Sequence, residues 1–140
     1  MYINEMNLTF DSLSENESFA RLAVASFCSN VVKDIESISD IKTAVSEAVT
    51  NAVVHAYDKK IGKITINCFL KEDEVKIEII DNGIGIEDID RAKEPFYTSK
   101  PDMERSGMGF TVMEGFVDKM IVESYKDKGT RVTLIKNISR

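Results

Sequence analysis

The sequence predicts a two-layer α/β sandwich whose mixed, mostly antiparallel sheet carries its helices on one face. Three observations predict it. Apolar residues recur at helical spacing in some segments and alternate with polar ones at period two in others. Successive strands are mostly separated by turns short enough for hairpins, which makes neighbouring strands antiparallel. The resulting order is β-α-α-β-β-loop-α-β-β.

Residues 2–10 partly alternate, with Met6, Leu8 and Phe10 on one side, and predict a strand. Ser14 and Glu17 then have capping-box spacing, and Phe19, Leu22, Ala23, Phe27 and Val31 follow at helical intervals. A second helix, the most strongly patterned element, is expected from about 40 to 57, with Ile41, Val45, Ala48, Val49, Ala52 and Val53 on its apolar arc. After Gly62 the period becomes two: Ile64, Ile66, Cys68 and Leu70 alternate with Thr65, Asn67 and Lys71, and a polar turn leads to Val75, Ile77 and Ile79. That is a hairpin. Residues 81–107 are too long and too rich in glycine, proline and charge for an ordinary connection, so a binding loop or lid is expected there, with at most a short helix near 87–92. A helix from 108 to about 119, bearing Phe110, Met113, Phe116 and Val117, precedes a second hairpin made of 120–124, a turn at 126–129 and 130–138.

The 140 residues are 43% apolar and 30% charged, which predicts one hydrophobic core and one domain spanning 1–140. No basic start leads into an apolar run, and no window approaches the ~18 uninterrupted apolar residues of a membrane helix, so a cytoplasmic protein without membrane contact is expected. A net charge of -6 argues against direct nucleic-acid binding, since phosphates reward a basic surface. Any link to transcription would run through a protein partner. Cys28 and Cys68 lack metal-ligand spacing and sit inside apolar patterns, so buried reduced thiols are expected. A G-x-x-x-x-G-K-[ST] loop is absent, as are the H-R-D and D-F-G signatures and any convincing nucleophilic triad.

Glu47 and Asn51 are four apart, hence on one helix face. They read either as a solvated helix edge or as a base beside an oxygen ligand for Mg²⁺, a hard cation. His55, the only histidine, flanks that face and is expected to pack the helix. The run I-I-D-N-G-I-G-I at 79–86 contains Asn-Gly, a hairpin signal, but the acidic residues after Ile86 do not resemble a return strand. A strand ending at Asp81, followed by a glycine turn that admits a ligand, is the better reading. A carboxylate there can accept a hydrogen bond from the exocyclic amine of adenine, with apolar neighbours sandwiching the ring. Farther on, E-R-S-G-M-G-F at 104–110 places glycines at a helix entrance, where free N–H groups and the helix dipole favour an anion. Lys100 and Arg105 read as cations beside a γ-phosphate or as ordinary surface charges.

Taken in order, Glu47-x-x-x-Asn51, Asp81-Asn-Gly-Ile-Gly85, Pro95-Phe-Tyr-Thr-Ser-Lys100 and Ser106-Gly-Met-Gly-Phe110 resemble the Bergerat-fold ATPases shared by gyrase, histidine kinases and MutL. Through N-E-S-F-A-R at 16–21, V-S-E-A-V-T-N-A at 45–52 and E-R-S-G-M-G-F-T at 104–111, the chain is similar along its whole length to the bacterial anti-sigma factor serine kinases. The nearest branch is the one that acts on sporulation sigma factors of the sigma F type. The resemblance implies an ATP-dependent serine kinase that keeps a sigma factor from RNA polymerase, phosphorylates a serine of an anti-anti-sigma factor and forms a homodimer. It implies ATP/ADP and Mg²⁺ as cofactors, Glu47 as catalytic base, Asn51 as Mg²⁺ ligand and Asp81 as adenine reader, with Gly83 and Gly85 shaping the turn. Residues 97–107 would be a lid over the phosphates, contributing Thr98, Ser99, Lys100 and Arg105. Ser106, Gly107, Met108, Gly109 and Phe110 would contact the phosphates, Thr130 would help close the adenine pocket, and Arg21 would contact the sigma factor.

Departures from the family pattern are small: His55-Ala-Tyr57 replaces the common His-Gly-Tyr, and Asp81-Asn-Gly replaces an Asp-Glu-Gly found in close relatives. Within 140 residues no dimerisation domain with an acceptor histidine accompanies the motifs, so self-phosphorylation in the histidine-kinase manner is not expected. Two alternatives stay open: a nucleotide-gated sigma-binding module of a general-stress type, and a stand-alone histidine-kinase-like ATPase.

Overall fold

The computed structural model describes residues 2–58, 60–94 and 109–138. In chain order these form β1 (Asn4–Asp11), α1 (Asn16–Cys28), α2 (Ile35–His55), β2 (Lys63–Leu70), β3 (Glu74–Asp81), α3 (Ile89–Ala92), α4 (Gly109–Phe116), β4 (Lys119–Tyr125) and β5 (Gly129–Asn137). The five strands lie in the order β1-β2-β3-β5-β4. Every neighbouring pair is antiparallel, so the sheet among the described residues is not mixed. Two hairpins account for β2–β3 and β4–β5, whereas β1 reaches β2 only after α1 and α2 have crossed the sheet. Because β3 pairs with β5 and not with β4, Thr130 at the start of β5 stands opposite Asp81 on one side and Ser124 on the other.

The helix starts differ from the sequence reading for local reasons. α2 begins earlier than its apolar arc because the Asp34 side chain accepts the Ser37 N–H at 2.8 Å and caps the helix. Its first turn is solvated, with Ile35 88% exposed, and therefore carries no apolar signal. The capping box expected at α1 does not form. Glu17 donates its N–H to the backbone carbonyl of Ser14, and the helix start has no side-chain cap. The Glu17 carboxylate instead accepts the Ser46 hydroxyl of α2 at 2.8 Å and faces Arg21 at 3.5 Å, so it ties the two helices together.

Alternate residues of β2 and β3 are buried: Ile64, Ile66, Cys68 and Leu70, then Val75, Ile77, Ile79 and Asp81. The small residues Ala44, Ala48 and Ala52 are buried on α2, and Ala20, Val24, Phe110 and Met113 belong to the same core. Cys28 and Cys68 are free, buried thiols as expected, and the fold brings their sulfurs to 3.7 Å. That contact and burial push the Cys68 thiol far up, which keeps it neutral. The opposite sheet face is polar, with Thr9 bonded to Thr65, Asn7 to Asn67 and Arg131 to Glu123. Ile77 is at the centre of the sheet and 2% exposed, so Ile77→Ala is expected to cost about 2–5 kcal/mol in urea unfolding, the range for a large-to-small core change.

Candidate functional site

The C-terminal half of α2, the end of β3 and the start of β5 enclose a pocket whose walls include Asn51, Ile79, Asp81, Gly85, Thr130 and Val132. Asp81 is its buried acid, 7% exposed. Burial pushes its carboxyl up, against the opposing pull of backbone N–H groups from Gly83, 2.9 Å from Oδ1, and from Thr130. The acid form is therefore favoured relative to the unfolded chain. Its stabilisation is complete at low pH and lost as pH rises from the unfolded value of 3.8 through the raised folded one. Asp81→Asn is expected to remove that decline, as measured by urea unfolding of both proteins across the acid range.

The segment after Asp81 is held from both sides, which explains why Asn-Gly does not close a hairpin here. Toward α2, Ile84 donates its N–H to the Ala56 carbonyl at 2.8 Å, and Asn82 donates to the Tyr57 hydroxyl at 2.9 Å. Gly83 lies so close that a Cβ would meet the Ala56 oxygen at 2.0 Å. Toward the β4–β5 turn, Asp127 donates its N–H to Ile84 O at 2.7 Å and Ile86 donates to Ser124 Oγ at 2.7 Å. Gly85, at φ +78°, leaves no room for a Cβ beside Tyr125 O. One carboxylate is thus fixed in a pocket that it lines together with the apolar Ile79, Ala52 and Val132, a lining that joins a hydrogen-bonding group to apolar walls.

Other residues singled out in the sequence fall into distinct places. Asn51 lines the pocket, whereas Glu47, one turn earlier, lines a second recess with Arg21, Lys42 and Ser46 between α1 and α2. One helix therefore serves two concavities. Thr130 is in the pocket wall; Gly83 sits behind it against Ala56. Gly109 opens α4, and the Phe110 side chain is buried in the core, which leaves only its backbone for an anion. Thr98, Ser99, Lys100, Arg105, Ser106, Gly107 and Met108, with the rest of the expected lid, lie outside the described residues. His55 lines the pocket as well as ending α2. The sequence assigned no role to Ser124 or Tyr57, which buttress the turn. The hairpin register that sets Ser124 opposite Thr130 was the signal that could have found Ser124.

Among the described residues no group of three or more His, Cys, Asp or Glu could hold a metal. Asn51 brings one amide oxygen to the pocket, a hard donor of the kind Mg²⁺ prefers. No helix among the described residues is long and apolar enough to cross a membrane.

Residues 10–136 match the family described as histidine kinase-like ATPase domain. The chain is 58% identical over 140 residues to the anti-sigma F factor of Clostridium botulinum (strain Eklund 17B / Type B), covering 99% of this chain and 98% of that one. Identity to the anti-sigma F factor of Clostridium acetobutylicum is 55% over 139 residues, with 99% and 97% covered. For that of Oceanobacillus iheyensis it is 52% over 138 residues, with 98% and 94% covered. The fold is also that seen in a crystal structure of RsbU and RsbW domains from Mycobacterium tuberculosis. That structure superposes with a TM-score of 0.70 at 22% identity, covering 98% of this chain and 33% of the other. Identity above one half along nearly the full length of these relatives joins a pocket built around a buried acid and a clamped glycine turn. The chain belongs to the histidine kinase-like ATPase domain family and, within it, to the anti-sigma F factors.

Proposed function

We propose that residues 1–140 work as one ATP-binding kinase domain, active as a homodimer, that sequesters a sigma factor of the sigma F type and phosphorylates a serine of an anti-anti-sigma factor. The observation that carries this reading is the division of labour along α2, which offers Asn51 to the pocket holding Asp81 and Glu47 to the adjoining recess that holds Arg21. ATP binds with its adenine amine on Asp81 and its phosphates toward Asn51, whose side-chain oxygen would hold Mg²⁺. When bound there, Mg²⁺ would supply charge neutralisation on the phosphates. An acceptor serine entering from the Arg21 recess meets Glu47 first. Its Oγ attacks the γ-phosphorus, the bond from that phosphorus to the ADP oxygen breaks, and the serine proton passes to the Glu47 carboxylate. Arg21, held by Glu17 and Ser18, is the cation offered to a protein partner in that recess.

The test mixes the purified chain with radiolabelled ATP, Mg²⁺, the sigma F factor and the anti-anti-sigma factor of one spore former. Label on a serine of the anti-anti-sigma factor and nucleotide-dependent capture of the sigma factor are expected. Capture without transfer would leave a nucleotide-gated binding module, and free phosphate released without an acceptor would leave a plain ATPase. Either result overturns the kinase assignment.

A further inference from the structure

We infer that Ser124 on β4 is a positioning residue for base selection, setting the Thr130 hydroxyl as a hydrogen-bond donor toward the pocket. The inference rests on the reading of the pocket as a purine site. Ser124 stands directly opposite Thr130 across the β4–β5 pair, and the two hydroxyl oxygens are 2.7 Å apart. Ser124 Oγ also accepts the Ile86 N–H at 2.7 Å and lies 3.1 Å from the Gly129 carbonyl. A serine hydroxyl has one proton, so the Ile86 donor and the two acceptors leave a single choice. The proton goes to Thr130 Oγ1 or to Gly129 O.

The two choices show the pocket opposite faces. With Ser124 donating across the shorter contact, Thr130 Oγ1 is already an acceptor and its own proton is free to turn into the pocket. With Ser124 donating to Gly129, Thr130 donates back to Ser124 and turns lone pairs to the pocket. Only the first arrangement places a donor beside the Asp81 acceptor, since both residues line the pocket and face each other in register. An acceptor next to a donor complements a 6-aminopurine, which offers an amine and then an unprotonated ring nitrogen. A 6-ketopurine offers the reverse and sets its carbonyl lone pairs against the carboxylate. Ser124 thus touches no base itself and acts through Thr130, while its bond to Ile86 fixes the far end of the glycine turn.

The experiment compares wild type, Ser124→Ala and Ser124→Thr by calorimetric titration with ATP and with inosine triphosphate, the 6-keto analogue, alongside the melting temperature without nucleotide. Ser124→Ala is expected to weaken ATP about tenfold, the worth of one hydrogen bond, and to leave inosine triphosphate nearly unchanged, so that the preference shrinks. Ser124→Thr is expected to restore it. Equal losses for both nucleotides, an unchanged preference in Ser124→Ala, or no rescue by threonine would overturn the role of Ser124 alone. A wild type that binds both nucleotides equally would overturn the base selection inferred here, and one that binds neither would overturn the purine-site reading itself. If alanine prevents folding, Ser124→Val, which removes the hydroxyl and suits a strand, gives the same comparison.

Discussion

Glu47→Ala is expected to lower phosphate transfer to a protein serine by about 10²-fold or more while leaving ATP affinity nearly unchanged. The separation follows from the two concavities of α2. Glu47 lines the recess with Arg21 and does not line the pocket that contains Asp81 and Asn51. Alanine is the best helix former, and the neighbours that anchor this part of α2, Ala44, Val45, Ala48 and Val49, are buried in the core, so the helix persists. Glu47→Gln keeps the shape and most polar contacts of the side chain but cannot take the serine proton. It should be nearly as inactive as alanine. Transfer measured with radiolabelled ATP and an anti-anti-sigma factor, beside titration of ATP, decides the matter. Transfer retained in either variant would remove Glu47 from the base role, and parallel loss of ATP binding in both would make it a nucleotide contact instead.

The fold was largely legible because it is built on burial, and burial leaves a period in the sequence. The alternation through Ile64, Ile66, Cys68 and Leu70 and the arc through Ile41, Val45, Ala48 and Val49 became β2 and α2 because each pattern matches the face that its element buries. What was missed lacks such a period. The start of α2 depends on Asp34 bonding to Ser37, and its first turn is too exposed to alternate. Ser14 and Glu17 have the spacing of a capping box, but Ser46, 29 residues away, offers Glu17 a competing hydroxyl. The pairing of β3 with β5, which excludes β4 from the centre of the sheet, is a non-local choice that no short window encodes.

The site divides in the same way. Asp81 could be singled out because a carboxylate ending an apolar strand before two glycines is a local conflict that only a turn or a ligand explains. Its burial beneath Thr130 needed the register. The i, i+4 rule correctly stacked Glu47 and Asn51 on one side of α2, yet it gives only rotation about one helix and not the neighbours that part the residues into two recesses. Tyr57 and Ser124 have ordinary helix-end and strand surroundings, respectively, in the sequence. They matter because Asn82 and Ile86, distant along the chain, present N–H groups to their hydroxyls.

Gly83→Ala should show how much the site depends on that clamp. The added methyl would sit 2.0 Å from the Ala56 oxygen and 2.5 Å from its carbonyl carbon. Both are backbone atoms at the end of α2, and Ala56 is itself bonded to Ala52 O at 3.0 Å, so the helix cannot yield. The turn has to move. In moving it gives up the Ile84 N–H bond to Ala56 and withdraws the Gly83 N–H from the Asp81 carboxylate. Overpacking of this kind costs about 1–3 kcal/mol and each lost hydrogen bond about 1 kcal/mol, for an expected total of about 3–5 kcal/mol in urea unfolding. ATP affinity should fall with it, because the acid proposed to read the base loses its alignment. Gly115→Ala supplies the contrast within the same protein. A Cβ there meets nothing within 4 Å, and in the exposed last turn of α4 alanine should be neutral or add up to about 1 kcal/mol with no change in ATP binding. If Gly83→Ala matched Gly115→Ala in both measurements, the contact between the glycine turn and the end of α2 would have no part in holding Asp81.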